Sequence, residues 1–184
     1  ALFAGVSRLE YDNMELAFAQ RADTRVAGLR QGLDDSVEVL TVTNQLFSTM
    51  HPVTREQFRV FTAPLLERHP FIQAFNFHRV VGHADRPAYE ATLGQLRPSA
   101  VIRELRAGRL VPAPERPEYL VVDYLEPMRG NEAALGLNAG MHRAVTEALA
   151  RARASGRAAA TDLIKLAQDT TPQASFELIM PVYD

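Results

Sequence analysis

The chain has 184 residues, of which 47% are hydrophobic and 23% charged, with a formal net charge of −2. That is ordinary globular composition, enough for one sizeable core or two small ones, and the near-neutral charge offers nucleic acid no electrostatic footprint. Cysteine is absent, which excludes disulfides and thiolate metal sites, and no apolar run reaches the ~18 residues of a membrane span.

No signal peptide is visible, and the chain starts at Ala1 instead of a methionine. The expectation is a piece of a longer protein whose membrane anchors lie outside it. Lys165 is the sole lysine among 20 basic residues, a bias read first as genomic base composition.

Residues 1 to about 50 read as one long helix. Phe18, Ala22, Val26, Leu29, Leu33, Val37, Leu40 and Phe47 recur at spacings of three and four, with Asn44 in the seam and Tyr11 and Met14 extending it backwards. A stripe of that length needs a partner: a second copy of itself, the domain behind it, or both. Gly28 and Gly32 weaken its middle by about 1 kcal/mol each relative to alanine. Asn44 either pairs with a symmetry mate and sets register or bonds locally. The run His51-Pro52-Val53 is a turn, and Thr54-Arg55-Glu56-Gln57 is a capping box. The helix it opens runs to about His69, stops at Pro70, and buries Phe58, Phe61, Leu65 and Leu66.

Phe71 to Val81 has strand character, with Phe71, Phe75 and Phe77 on one face. Asp85 is expected to cap a short helix with Pro87 in its first turn and Gly94 at its end. Pro98 to Pro117 holds four prolines and reads as loop with a helical piece around Ile102 to Arg106. Tyr119 to Leu125 is β-branched and aromatic, hence strand; Pro127 to Asn131 is turn; Ala133 to Ala139 reads as a further strand. A helix from about Met141 to Ser155 ends at Gly156. Arg157 to Thr161, Leu163 to Ala167 and Ser175 to Tyr183 complete a meander. The fold class is α+β, a long N-terminal helix over residues 1–50 followed by an antiparallel sheet with flanking helices over 51–183.

Enzymatic readings find no support in these residues. The five histidines form no i,i+4 pair and have no carboxylate at metal spacing, and no G-x-S-x-G, Walker loop or paired-glycine phosphate cradle occurs. Gly28 and Gly32 have the spacing of a membrane dimer motif, but arginine and glutamine sit among them.

A set of short words in fixed order carries a resemblance. It runs Gln45-Leu46-Phe47, Glu56-Gln57-Phe58, Phe71-Ile72-Gln73-Ala74, Arg79-Val80, Arg86 with Tyr89-Glu90, Tyr124-Leu125-Glu126-Pro127, Gly130-Asn131, Ala134-Leu135-Gly136, Ala152-Arg153-Ala154-Ser155-Gly156 and Pro181-Val182-Tyr183. Together these words resemble the CHASE sensory domain, although none is specific alone. The resemblance implies an extracytoplasmic (periplasmic) sensor between two membrane helices of a histidine kinase or diguanylate cyclase. It implies a stalk helix carrying a distal and a proximal PAS-like module, paired as a homodimer along the stalk. Most of the proximal module would follow the chain end or be absent. No cofactor is implied.

In plant members the distal module binds cytokinins, adenines substituted on the exocyclic nitrogen, through an aspartate. The matching position here is Asn138, a departure that removes a charge while leaving a carboxamide able to donate to and accept from an adenine edge. The competing reading is an asparagine that satisfies neighbouring backbone. Phe75, Phe77, Tyr119 and Tyr124 are candidates to wall a flat ring, and Met141 and Met180 to adapt to its edges. Ala160 and Thr161 follow Gly156, where the plant domains contact ligand. For each aromatic the competing reading is plain core packing. Two functions follow: a ligand-binding sensor, with an adenine-type cytokinin as the most concrete ligand, or a dimerisation module with no small ligand.

Overall fold

A computed structural model describes residues 2–50, 52–165 and 175–183, with side chains described from Met14 onward. Helix α1 runs Leu2–Thr49. The chain divides into two units, Ala1–Glu38 and Val39–Asp184, with the boundary inside α1. In the first unit Met14, Leu16, Phe18, Val26, Leu29, Leu33 and Val37 are all exposed. Burial starts at Val39 and continues through Thr43, Leu46 and Phe47, and Val39, Leu46 and Phe47 belong to the second unit's core. Among the described residues no helix is long and apolar enough to cross a membrane.

The second unit mixes helix and antiparallel sheet, an α+β fold. Helix α2 (Arg55–Arg68) opens on the expected box: Thr54 accepts from the Gln57 backbone N–H, and the Gln57 side chain accepts from the Thr54 backbone N–H. The expected turn before it includes His51, which lies outside the described residues. Phe58 and Thr62 are the buried residues of α2, and Phe61, Leu65 and Leu66 are half-buried against the same core. Thr62 tolerates burial because its hydroxyl donates to the Phe58 carbonyl at 2.8 Å.

Strand β1 (Phe75–Gly82) pairs antiparallel with β4 (Glu118–Glu126). Phe71 lies outside β1 and is exposed, so the strand is shorter than its aromatic spacing suggests. Between Phe77↔Tyr124 and His78↔Val122 the register slips by one residue, which makes Asp123 the extra residue of a β-bulge. A 3₁₀ turn, His83–Asp85, leads into α3 (Arg86–Leu96). The Asp85 side chain makes no cap bond, contrary to expectation, because Asp85 itself sits in helical conformation in that turn. Pro87 does occupy the first turn, but α3 continues through Gly94 to Leu96.

The helical piece expected around Ile102 to Arg106 is instead a hairpin, β2 (Arg103–Arg106) with β3 (Arg109–Pro112). Ala107 and Gly108 both take positive φ, the demand of the tight two-residue turns whose twist matches paired strands. The expected strand Ala133–Ala139 is also corrected. Residues 131–136 form turns, and only Leu137 and Asn138 bridge to neighbours. Gly136 breaks the extended run with φ +77 and lies so close to Val101 and Leu93 that a Cβ would come within 3.2 Å of the Val101 carbonyl oxygen.

This short segment nevertheless joins the two pairings. Val122 donates to the Leu137 carbonyl and Gly136 to the Val122 carbonyl, both at 2.9 Å. On its other side Arg103 donates to Gly136 at 2.9 Å and Asn138 to Arg103 at 2.7 Å. The spatial order is therefore β1, β4, residues 136–138, β2, β3. A second 3₁₀ turn, Ala139–Met141, leads to α4 (Arg143–Ser155), which ends on Gly156 in the left-handed region as read from sequence. Among the described residues the expected meander consists of β5 (Ala159–Ala160) with β6 (Leu178–Ile179) and one bridge, Ile164↔Ser175; the end of the expected strand Leu163–Ala167 lies outside the described residues.

Candidate functional site

The expected site residues fall into three groups. Phe75, Phe77 and Tyr124 share one core cluster with Phe47 and Phe58. The Phe77 ring stacks on Phe47 at 4.5 Å and 15°, and tilts against Tyr124 at 5.3 Å. Tyr124 is pinned from its other end, donating its hydroxyl to the Val53 carbonyl at 2.7 Å. These rings are held by α1, α2, β1 and β4, four elements that bring residues from 47 to 124 together.

Tyr119 belongs to a different cluster, with Val81, Ile102, Ala113 and Val121. Its buried hydroxyl donates to the Pro114 carbonyl at 3.0 Å and accepts from the Arg116 N–H and from Arg86. Met141 is 51% exposed on the surface. Ala160 is exposed on β5, where its carbonyl accepts from Arg151, while Thr161 is buried and exchanges bonds with Glu177. Met180 is half-buried just after β6. Burial raises the Glu177 carboxyl above the usual carboxylate range.

Asn138 is buried at the junction of β4, β2 and the second 3₁₀ turn. Its Oδ1 accepts from the Leu120 N–H at 3.0 Å, and its Nδ2 donates to Glu104 Oε1 at 3.1 Å. One Nδ2 hydrogen and one Oδ1 lone pair remain beyond these bonds. Gly140 packs closely beside it: a Cβ there would stand 3.2 Å from Asn138 Oδ1 and 3.3 Å from the Leu120 Cβ. Glu104 is itself buried and accepts from Arg116 at 2.6 and 3.1 Å and from Arg106 at 3.2 Å. The hydrogen bond from Arg116 is the foremost reason its carboxyl lies below the usual range despite burial.

Sequence reasoning missed both Glu104 and a second buried acid, Asp123. Its carboxylate takes Arg55 from α2 on one oxygen, Arg79 from β1 at 2.6 Å on the other, and the Tyr89 hydroxyl from α3 at 3.1 Å. Arg55 also donates to the Asp123 backbone carbonyl. Both acids carried a signal: Asp123 is the lone charge in the apolar run Tyr119–Leu125, and Glu104 sits between Arg103 and Arg106. A single charge in such a run marks a buried, paired group.

An open hollow of about 520 Å³ lies between the end of α1 and α2, lined by Leu46, Met50, Glu56, Gln57, Val60, Phe61 and Pro64. None of the expected site residues lines it. Asn44, in the α1 seam, donates to the Pro181 carbonyl at 2.8 Å, so its amide is bonded within the chain.

No curated protein sequence matches the chain. The family model described as the CHASE domain matches residues 51–184, the span that holds every element from α2 to β6. CHASE domains are extracellular sensory domains of signalling receptors and are sensors instead of catalysts. On that match, over most of its length, the chain belongs to the CHASE domain family.

Proposed function

We propose that the chain is the ligand-sensing portion of a membrane-anchored receptor, a histidine kinase or diguanylate cyclase, and that it works on the periplasmic side. A small molecule binds the second unit, favours one of two arrangements of α1, and an effector across the membrane reads the change. The ligand must bind one arrangement more tightly than the other, because equal affinity shifts nothing. The ligand class is an adenine-type cytokinin held by Asn138, with Phe75, Phe77, Tyr119, Tyr124, Met141, Ala160, Thr161 and Met180 as the further contact positions inherited from the resemblance.

The observation that carries the ligand reading is the position of Asn138: a buried carboxamide, oriented by Glu104 and Leu120, with one donor and one acceptor to spare. An adenine edge offers the complementary acceptor and donor. Titration calorimetry with isopentenyladenine, trans-zeatin and adenine tests it. Saturable heat with one of the three, lost in Asn138→Leu while circular dichroism shows a folded variant, is the expected result. Silence from all three on the folded wild type overturns the adenine reading.

A specific observation also favours the second reading, homodimerisation through α1 without a ligand. The first unit leaves Phe18 74% and Leu29 69% exposed, more apolar surface than a solitary helix in water retains without a partner. On that reading Leu33→Glu converts a dimer to a monomer in analytical ultracentrifugation, and an unchanged dimer places the contact elsewhere.

A further inference from the structure

The Asp123 cluster holds more positive charge than it neutralises. Arg55 and Arg79 bring two guanidiniums to one carboxylate, and the Tyr89 hydroxyl takes a further acceptor position on the same group. One arginine suffices to pair a buried acid, and the second adds a net charge that stays uncompensated in the cluster.

Arg79 is also only half spent. Its Nε donates to Asp123 Oδ2 at 2.6 Å, its Nη2 reaches Tyr124 Oη at the long distance of 3.5 Å, and its Nη1 has no acceptor among the described residues. The side chain is 45% exposed, so this outer edge of the fork meets solvent. Its position is set in advance: the guanidinium lies 5.6 Å from the Phe77 ring centre and 6.0 Å from that of Tyr124, with Asp123 holding its inner edge. An arginine fixed in this way gives up little further rotamer freedom on binding an anion.

We infer that Arg79 anchors a subsite for a small monocarboxylate, whose two oxygens accept from Nη1 and Nη2. The planar fork matches a carboxylate in two parallel bonds. A single negative charge matches the single excess positive charge of the cluster, which favours a monocarboxylate over a phosphate dianion. The subsite is separate from Asn138, because β1 lies on the other side of β4 from residues 136–138; it shares only the Phe77 and Tyr124 rings with the contact positions of the adenine reading. Its occupation is felt widely, because Asp123 joins Arg79 to α2 through Arg55 and to α3 through Tyr89.

The test is titration calorimetry of the intact chain at low ionic strength with acetate, pyruvate and benzoate, and with inorganic phosphate in parallel. At least one monocarboxylate is expected to bind saturably at one site, and to bind about tenfold or more weakly to Arg79→Lys, which keeps the charge beside Asp123 but lacks the fork. Binding is expected to survive in Asn138→Leu, which separates this site from the adenine one. Nitrogen-15 spectra of the wild-type arginine side chains give a readout that needs no variant: the Arg79 guanidinium signals are expected to move on titration. No saturable binding by any of the three, equal affinity for wild type and Arg79→Lys, static Arg79 signals, or phosphate binding as tightly as the best monocarboxylate overturns the inference.

Discussion

Asn138 and Glu104 are joined by a single hydrogen bond, Nδ2 to Oε1 at 3.1 Å, between two side chains that are both almost wholly buried. The bond runs alongside the backbone pairing of residues 136–138 with β2, so it reinforces the seam where two pairings become one sheet. It also sets which end of the carboxamide faces Leu120, since the acidic oxygens of Glu104 accept only from the amino end.

Glu104→Ala is expected to destabilise the protein by about 3 kcal/mol, measured by urea unfolding, because Asn138 and two guanidiniums lose their acceptor together. The same group makes stability depend on acid. Its folded carboxyl sits below the unfolded value of about 4.3, so its contribution is present above that value and is lost as pH falls through the lower folded one. Glu104→Gln is expected to flatten that acid limb.

Gly136→Ala is expected to cost about 2–4 kcal/mol in the same unfolding assay. A left-handed backbone costs a non-glycine residue about 1–2 kcal/mol, and the new methyl would also press on the Val101 carbonyl and Leu93. Gly156→Ala, equally left-handed but with open space around it, is expected to cost only the first of these two terms.

His78 lies in β1 with a buried Nε2 that has no hydrogen-bond partner, and burial pushes its imidazole down to about 4. The unfolded chain binds the extra proton from about pH 6.5 downward. Stability from a neutral His78 is thus fully present above that pH and declines as pH falls towards 4, by on the order of 2–3 kcal/mol. Glu177, raised by burial, acts in the opposite sense. The measurement is therefore a difference: urea midpoints at pH 7 and pH 4.5 for wild type and His78→Leu, with the variant expected to lose less on acidification.

Phe77→Ala is expected to cost about 3–4 kcal/mol, since it empties a position in contact with Phe47 and Tyr124. A double-mutant cycle with Phe47→Ala is expected to give a coupling of about 1 kcal/mol, the share owed to the stacked pair itself. A coupling near zero would mean that the two rings contribute only as separate buried volumes.

Features set by neighbouring residues were legible in the chain before any contact was known. The Thr54–Gln57 box, the length of α1, Pro87 at the start of α3, the β-branched run of β4 and Gly156 at the end of α4 each depend on a few adjacent positions. The β2–β3 hairpin was not legible, because four-residue strands show too little period and its turn sets Ala107, not an asparagine or glycine, at positive φ. Residues 133–139 alternate like a strand, yet the crowding of Gly136 against Val101 and Leu93 turns them. The same division holds for the site. The lone charge at Asp123 was passed over, whereas the residue types of the expected site were visible, a polar Asn138 and the aromatic candidates. Their partners were not, since Asn138 reaches Leu120 and Glu104, 18 and 34 positions away, and Asp123 gathers Arg55 from 68 positions off. Local backbone preference acts over a turn or two of chain, whereas the pairing of buried charges is settled only where the packed elements leave them nowhere else to bond.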